Sequence, residues 1–369
     1  MKVLWFSWKD KKHPLAGGAE TVTDNILSRL AKDGHEVILL TSRPPGTEAQ
    51  ELFNGYRIIR GGNRYSVYLQ AKRYYKKHLQ NWPDKVIEEV NTIPFFTRYY
   101  VKGPTTLMFH QLAREVWFFQ MSWPLSRVGY WLEPFYLRLL NRQAVITVSQ
   151  STKNDLVKTA GFSPKNIKII REGIELKPVK ALNKVKKFPN PTLLVLGAIR
   201  PMKRTADVVK AFELSKDRVP NLKLVIAGDD SDPYGREVSE LADNSPYRND
   251  ISILGKVTLD KKKELMQRSH VLAASSVKEG WGLIVTEANS QGTPVVAYDV
   301  DGLRDSVKNN KTGYITTPNP RELSGGIVKL LSNEASYNSI RQAAWQDSKQ
   351  YTLDNLYEDF LAALESSQR

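Results

Sequence analysis

The sequence predicts an α/β protein of two doubly wound domains, each a mostly parallel sheet covered by helices. Short β-rich segments alternate with helical ones along the chain, and the strands of the second half are nearly continuous apolar runs. Parallel strands buried on both faces require such runs. The chain has 369 residues, whereas single cores stop growing at about 250 to 300, so two domains are expected.

The first predicted domain, residues 1–180, alternates strands and helices. Its predicted strands are the runs 3–8, 36–41, 56–61, 85–90, 105–110, 144–149 and 167–173. After Gly17 and Gly18, apolar residues recur at helical spacing up to Leu30, and Gly34 ends that helix before the next strand. The pattern is that of strand–helix–strand units, and it predicts that the N-terminus is a first strand rather than a secretory signal.

A segment without periodicity, residues 175–191, is rich in Lys, Pro and Asn and is predicted to link the domains. The second domain, residues 190–345, has six predicted strands. They are the runs 192–198, 223–228, 251–255, 271–276, 294–299 and 313–317. The last helix, about residues 350–369, carries an apolar stripe and is expected to dock back on the first domain. Two such domains would face a shared cleft lined by the carboxyl ends of their strands.

Composition excludes several classes of site. The chain has no cysteine, which rules out thiolate nucleophiles, disulfides and cysteine-ligated metals, and none of its five histidines are paired at ligand spacing. No window approaches 18 uncharged apolar residues, so no membrane span is expected. Residues 1–185 carry 29 Lys and Arg against 15 Asp and Glu, whereas the rest carry 25 against 24. This asymmetry indicates an anionic partner for the first half.

The sharpest motif is the segment Lys278–Glu287, which follows a predicted strand. Gly280 and Gly282 open a predicted helix, and a helix N-terminus approached through glycines can bind a phosphate. Glu279 and Glu287 would lie roughly 8 to 12 Å apart. This separation tends to exceed that of glycoside hydrolase carboxylates and suits one carboxylate at each end of a diphosphate. The alternative is a simple turn with a solvated Glu279 and a salt-bridged Glu287.

The segment 275–307, SSVKEGWGLIVTEANSQGTPVVAYDVDGLRDSV, resembles the donor-site signature of family 4 (group 1) glycosyltransferases, which have the GT-B fold. The resemblance includes a Glu, seven residues and a second Glu, then the GTPVVA strand and the GLRD turn, and it extends along most of the chain. It implies a GT-B-like pair of Rossmann-like domains and a retaining transfer of a hexosyl unit from a nucleotide-sugar. No cofactor and no obligatory metal are implied.

The resemblance also implies roles for residues of the second domain. Glu279 would contact hydroxyls of the donor sugar as a catalytic residue, and Glu287 would hold the ribose of the nucleotide. The remaining donor-binding residues of this turn are predicted to be Gly280, Trp281, Gly282, Leu283 and Ile284.

A diphosphate leaving group needs a cation when no metal is present. Family members usually place an Arg directly after the glycine that corresponds to Gly197 and a Lys five residues later. Lys203 matches the Lys and is predicted to be catalytic and donor-binding, but Ala198 occupies the Arg position, so Arg200 is the predicted substitute. Lys256 lies in a loop expected near the nucleotide base. The alternative for Lys203 is a solvated lysine near a helix start.

Two features of the first domain resemble the family's site. Gly17 and Gly18 resemble its glycine-rich first loop, which closes over the diphosphate and the sugar. His110 ends a predicted strand, where the resemblance implies a catalytic histidine beside the donor sugar and the acceptor hydroxyl. Its implied role is orientation or polar stabilisation and need not be that of a general base. The alternatives are an ordinary turn and a structural histidine.

Two basic segments of the first half carry aromatic residues beside cations. Lys72, Arg73, Lys76 and Lys77 would cluster on one side of a helix, and residues 116–142 combine Trp and Phe with Arg. They predict contact with an anionic membrane surface. The resemblance to glycosyltransferases implies a lipid-linked or membrane-surface glycan as acceptor and a cytoplasmic location at the inner face of the membrane. The alternative is that the aromatics form the core and the lysines a solvated face.

Three other functions remain open from the sequence. Transfer to a soluble acceptor and nucleotide-sugar 2-epimerisation both suit the same two-domain fold. A nucleic-acid-binding protein is suggested by the isoelectric point near 9.6. The sequence contains no helix-turn-helix signature, zinc spacing or RNP-like strand, so no nucleic-acid partner is predicted.

Overall fold

The computed structural model describes residues 1–366 and divides into two compact units. Unit 1 contains Met1–Gly173 and the C-terminal helix, and unit 2 contains Ile174–Thr352. Each unit is built on one sheet of mainly parallel strands. The predicted class, α/β with two doubly wound Rossmann-like domains, is therefore confirmed.

Unit 1 has an eight-stranded sheet. Its strands are β1 (Lys2–Phe6), β2 (Glu36–Thr41), β3 (Gln50–Phe53), β4 (Tyr56–Arg60), β5 (Lys85–Glu89), β6 (Thr105–Phe109), β7 (Ala144–Thr147) and β8 (Ile167–Ile169). Their order across the sheet is β3-β4-β2-β1-β5-β6-β7-β8, and every pair is parallel except β3 with β4. The sequence analysis missed β3, because its four residues alternate between exposed and half-buried positions at the sheet edge and carry no apolar run.

Unit 2 has a six-stranded, wholly parallel sheet. Its strands are β9 (Thr192–Leu196), β10 (Lys223–Ala227), β11 (Ile251–Ile253), β12 (Val271–Ala274), β13 (Val295–Tyr298) and β14 (Gly313–Thr316). Their order is β11-β10-β9-β12-β13-β14. The chain runs outward from β9 to β11 on one side of the sheet and from β12 to β14 on the other. The carboxyl ends of β9 and β12 therefore flank the switch point, where α/β sheets bind ligands.

The α-helices alternate with these strands and then run consecutively near the C-terminus. They are α1 (Gly18–Lys32), α2 (Val67–Tyr74), α3 (Trp117–Gln120), α4 (Leu125–Arg138), α5 (Gln150–Ala160), α6 (Thr205–Ser215), α7 (Pro233–Asp243), α8 (Leu259–Arg268), α9 (Leu283–Ser290), α10 (Leu303–Ser306), α11 (Pro320–Leu331), α12 (Glu334–Ser348) and α13 (Leu353–Ser366). A π-helical turn, Tyr75–Leu79, continues α2. Within residues 1–366 no helix is long and apolar enough to cross a bilayer.

The C-terminal helix α13 packs on unit 1. The ring of Phe360 lies 5.7 Å from that of Trp5 in β1, and both side chains are fully buried. Asp359 accepts two hydrogen bonds from the Arg171 guanidinium, at 2.7 and 2.8 Å. Apolar packing and a bidentate ion pair thus hold the last helix against the sheet of unit 1.

The segment predicted as a linker, residues 175–191, is bound along unit 2. Trp345 donates to the carbonyl of Val179 at 2.9 Å, and Arg341 donates to that of Leu182 at 3.2 Å. The side-chain nitrogen of Lys187 lies within hydrogen-bond distance of three carbonyl oxygens and of the hydroxyl of Thr293, and burial lowers the pKa of Lys187 well below the usual value. The segment is therefore part of the folded unit.

Candidate active site

The turns that follow β9 and β12 lie against each other in unit 2. The N–H of Val277 donates to the carbonyl of Met202 at 2.8 Å, and the hydroxyl of Ser275 donates to that of Lys203 at 2.8 Å. These bonds fix the loop that carries Lys203 against the loop that carries Glu279. Two candidate residues separated by 76 positions in the chain are thereby brought into contact.

Glu279 is held by two donors. Its Oε1 accepts from the ammonium group of Lys203 at 2.5 Å and from the hydroxyl of Ser276 at 2.6 Å. The Glu279 backbone is fixed as well, since its N–H donates to the carbonyl of Asp301 at 3.0 Å. Both side chains remain partly exposed, at 18% for Glu279 and 34% for Lys203, so a ligand can reach them.

The helix α9 begins beside this pair. Gly282 precedes it with φ of +89°, a conformation that side chains disfavour, and an added Cβ would lie 2.9 Å from Leu303. The first N–H groups of an α-helix have no acceptor within the helix, and they carry partial positive charge. Leu283 and Ile284, the first residues of α9, are half-buried.

Trp281 packs toward the helix rather than standing free. Its indole N–H donates to the hydroxyl of Thr286 at 2.9 Å, and its ring lies 5.2 Å from that of Tyr351. Gly280, beside it, is half-buried. The side chain of Trp281 therefore stabilises the turn. A ligand would contact the backbone of this segment rather than the indole ring.

Glu287 lies inside α9 and pairs with Lys262 of α8, with Nζ and Oε2 2.7 Å apart. The Glu287 side chain is 15% exposed. Burial raises the pKa of this carboxyl above its ordinary value, and the neighbouring Lys262 charge partly opposes that shift. A largely buried carboxylate with one lysine partner retains acceptor positions for hydroxyl groups.

Arg200 follows β9 and Lys256 follows β11, and the charges of both act on Asp229, which follows β10. The pKa of Asp229 is lowered mainly by hydrogen bonds from Ser231, and also by the charges of Lys256 and Arg200. Lys256 is exposed and Arg200 is half-buried. Both predicted cations therefore lie at the carboxyl end of the sheet, as Lys203 does. The carboxylate of Asp229 interacts with both of them.

The glycine loop of unit 1 precedes α1. The N–H of Gly17 donates to the carboxylate of Glu20 at 2.6 Å, and Lys9 lies 3.0 Å from the other Glu20 oxygen. Gly17 has φ of −145°, and the nearest atom to an added Cβ would be 3.8 Å away. Neither the backbone nor the packing of unit 1 requires glycine at this position. Gly17 and Gly18 are both exposed.

His110 directly follows β6 and is buried among carboxylates. Its Nε2 lies 3.7 Å from Glu89 at the end of β5, and its Nδ1 lies 4.0 Å from Glu172. Glu89 in turn accepts hydrogen bonds from the Trp5 indole and from Thr23, at 3.0 and 2.9 Å. Nε2 of His110 has no hydrogen-bond partner among the described residues. The site holds an imidazole between two acids.

The direction of the His110 pKa shift follows from these neighbours. Burial alone would lower the pKa of His110. Glu172 and Glu89 together raise it by more than burial lowers it, so the pKa lies above the usual 6.5. Because the folded pKa is raised, the interaction stabilises the fold below pH 6.5, and that contribution is lost as the pH rises through the folded value.

Replacing Glu172 with glutamine should lower the pKa of His110, because the neutral amide no longer favours the imidazolium. NMR titration of the imidazole, assigned from a His110→Gln variant, measures this shift. Glu115→Gln is the matched control, since Glu115 is exposed and does not contribute to the His110 shift. An unchanged titration in the Glu172 variant would contradict the proposed electrostatic pairing.

The predicted basic helix of unit 1 is only partly regular. Arg73, Lys76 and Lys77 are exposed on α2 and the π-helical turn that follows. Lys72 is half-buried, with its ammonium group 5.3 Å from the centre of the Tyr100 ring. Three of the four predicted cations are therefore available at the surface, and their contact with a membrane stays a prediction.

Comparison with known proteins identifies the family. The profile "Glycosyl transferases group 1" matches residues 180–347, and "Glycosyltransferase Family 4" matches residues 16–177. Together they span most of both units. The chain belongs to the group 1, family 4 glycosyltransferases.

Three similar proteins place this glycosyltransferase among its relatives. A poly(glycerol-phosphate) alpha-glucosyltransferase of Bacillus subtilis is 28% identical over 46% of this chain and 25% of its own length, so the match spans a quarter of that relative. A sucrose-phosphate synthase from Thermosynechococcus elongatus shares the fold with a TM-score of 0.79, at 16% identity over 99% and 98% of the chains. Anabaena HepE, solved with UDP-glucose, has a TM-score of 0.70 at 18% identity over 99% and 100%. The predicted GT-B fold is confirmed.

The sequence analysis missed several residues that shape the site of this glycosyltransferase. Ser276 and Lys262 each bind one of the two candidate glutamates. Glu89 and Glu172 surround His110. A signal for Glu89 was present, since the run KVIEEV puts two carboxylates at the carboxyl end of a buried strand, where ligands bind.

Proposed function

We propose that this glycosyltransferase moves a hexosyl unit from a nucleotide-sugar to an acceptor with retention of configuration. One observation carries the proposal: Glu279 is held by Lys203 and Ser276 beside the N-terminus of α9. A carboxylate, a cation and unpaired N–H groups thus converge on one surface. That combination suits a ligand with both hydroxyl groups and a diphosphate.

The diphosphate is the leaving group and accumulates negative charge as the sugar departs. Lys203 and the N-terminal N–H groups of α9 stabilise that charge, and Arg200 supplies the second cation in place of the one missing at Ala198. Such fixed donors act without a metal ion, so we propose transfer that needs no metal and no cofactor. The role of Arg200 is supported by its position after β9, at the same carboxyl end of the sheet as Lys203.

The two glutamates bind the two sugar rings of the donor. Glu279 accepts hydrogen bonds from the transferred sugar, and Glu287, partly desolvated beside Lys262, accepts them from the ribose. Lys256 lies toward the base. The structure of Anabaena HepE is a complex with UDP-glucose, which supports a nucleotide-sugar of this class as the donor of the present chain.

The acceptor is proposed to be a lipid-linked or membrane-surface glycan. The positive charge of residues 1–185 and the exposed Arg73, Lys76 and Lys77 support attraction to an anionic surface. The buried His110, with its raised pKa, is proposed to donate a hydrogen bond to the donor sugar or to the acceptor oxygen. Gly17 and Gly18, which are exposed, are proposed to contact the donor through their backbone.

Incubation with UDP-, GDP- and ADP-sugars and a lipid extract tests the proposal. We expect one donor to raise the melting temperature and to yield a glycosylated lipid in mass spectrometry, with an anomeric NMR coupling that matches the donor. An inverted linkage would refute retention. A sugar changed at C2 with no new glycosidic bond would identify a 2-epimerase, and transfer only to water-soluble glycans would refute the membrane acceptor.

A further inference from the structure

The largest group of exposed apolar side chains in residues 1–366 belongs to the segment that contains α3 and α4. Nine large apolar residues of this segment are at least 39% exposed: Phe118, Phe119, Trp123, Leu125, Val128, Trp131, Leu132, Phe135 and Leu139. Isolated exposed apolar residues are common, but a contiguous group marks an interaction surface. Trp123 and Trp131 are 76% and 68% exposed.

On α4 these residues form a stripe. Exposed apolar positions recur every three or four residues, from Leu125 through Val128 and Trp131 to Phe135, which places them on one face of the helix. The other side of the helix is buried at Ser126, Glu133 and Leu137. Gly129 is half-buried and packs so closely on the Trp117 ring that an added Cβ would lie 2.5 Å from it. The helix is therefore anchored by one face and open on the other.

The carboxylate of α4 points inward. Glu133 is buried, and it accepts hydrogen bonds from the N–H groups of Ala113 and Arg114 at 2.8 and 2.7 Å and from the Trp117 indole at 3.3 Å. Glu133 is the one acidic residue in the helix sequence. The open face of α4 consequently presents no negative charge.

Arginines border the apolar stripe. Arg127, Arg138 and Arg142 are exposed, and the guanidinium of Arg138 lies 5.7 Å from the centre of the Phe135 ring. In the described part of the chain none of these three forms an ion pair with a carboxylate. Arg142 lies in the turn that follows α4, and Trp123 lies just before the helix. Apolar rings and unneutralised arginines on and beside one helix are the composition that the headgroup region of an anionic bilayer favours.

We propose that the open face of α4 docks unit 1 on the surface of an anionic phospholipid bilayer, with its apolar stripe among the headgroups and its arginines on lipid phosphates. The proposal rests on the membrane-presented acceptor proposed above and names the surface that reaches it. The charge of this half of the chain favours a bilayer over a second copy of the protein. Because the first half has a large positive excess, a second copy would bring like charges together, whereas a bilayer of anionic lipid neutralises them.

Flotation with vesicles of mixed phosphatidylglycerol and phosphatidylcholine tests the proposal, using the full chain. We expect binding by the unaltered protein and a loss of about tenfold or more in the variant Trp131→Ser/Leu132→Ser/Phe135→Ser. Vesicles of phosphatidylcholine alone should bind weakly. The variant Arg127→Gln/Arg138→Gln/Arg142→Gln should reduce the preference for anionic vesicles and its dependence on salt.

A matched control removes exposed apolar side chains outside this face. Leu52→Ser/Leu214→Ser should bind vesicles like the unaltered protein, since both residues are exposed elsewhere, at 77% and 47%. Equal vesicle binding by the Trp131 triple variant, or a dimer that this variant converts to a monomer, would overturn the proposal.

The outcome is independent of the transfer reaction. Sugar transfer to a soluble acceptor analogue should be the same in the unaltered protein and in the Trp131 triple variant, because α4 carries none of the proposed reacting groups. Vesicle binding without any transfer would refute the proposed function and leave the docking surface standing. Transfer without vesicle binding would refute the docking surface alone.

Discussion

Replacing Glu279 with glutamine should lower kcat by roughly 10²- to 10³-fold, the loss typical of removing one preorganised electrostatic group. The proposed transfer develops positive charge on the donor sugar ring, which a carboxylate stabilises better than a neutral amide. Nucleotide binding should be unchanged or slightly tighter, because Lys203 loses the carboxylate that it contacts at 2.5 Å and is free to bind the diphosphate. Initial rates and calorimetry with the nucleoside diphosphate measure the two effects.

Glu287→Gln is the matched variant with the opposite pattern. Glu287 lies on α9 beside Lys262, where it is proposed to hold the ribose, so its replacement should weaken nucleotide binding and alter kcat less. The two variants thus separate sugar binding from nucleotide binding. If Glu279→Gln abolished nucleotide binding while Glu287→Gln left it intact, the donor would lie in the reverse orientation.

The sequence predicted the turn that carries Glu279 because local chemistry specifies it. A buried strand, two glycines and an apolar helix pattern occur in order, and Gly282 adopts the positive φ that only glycine tolerates well. The contact between Glu279 and Lys203 could not be predicted in the same way. It depends on the register of β9 with β12, which are parallel neighbours distant in sequence.

The environment of His110 shows a different limit. The sequence places a histidine at the end of a parallel strand, but the charge of its ring depends on Glu89, from the neighbouring strand, and on Glu172, which lies beyond β8. Burial and carboxylates shift the pKa of a histidine in opposite directions. Only the folded arrangement decides which effect is larger.

The sequence allowed two interpretations of the aromatic segment of unit 1: its aromatic residues form part of the core, or they form an exposed surface. An amphipathic period predicts a helix with one apolar face but does not reveal what covers that face. In the structure Trp117 is buried against α4, whereas Phe118, Trp131 and Phe135 are exposed. Part of the segment therefore anchors the helix, and the rest is exposed.

Replacing Gly302 with alanine should damage the site from outside it. Gly302 precedes α10 with φ of +78°, and an added Cβ would lie 2.3 Å from the carbonyl oxygen of Glu279 and 2.9 Å from its Cβ. One of the two segments must therefore move. The N–H of Glu279 donates a hydrogen bond to the carbonyl of Asp301 at 3.0 Å, so a shift at Gly302 also displaces the backbone of Glu279. We expect kcat to fall at least about tenfold, because catalytic groups tolerate little misplacement.

Gly302→Ala should also cost about 1–3 kcal/mol of unfolding free energy through backbone strain, which denaturant unfolding measures. Gly46→Ala is the matched control: Gly46 has the same φ of +78°, but no atom lies within 4 Å of an added Cβ. The control should therefore lose stability and keep its kcat, so that strain and displacement of Glu279 are measured separately. A Gly302 variant that lost stability yet kept the kcat of the unaltered protein would show that the backbone of Glu279 does not set the position of its carboxylate.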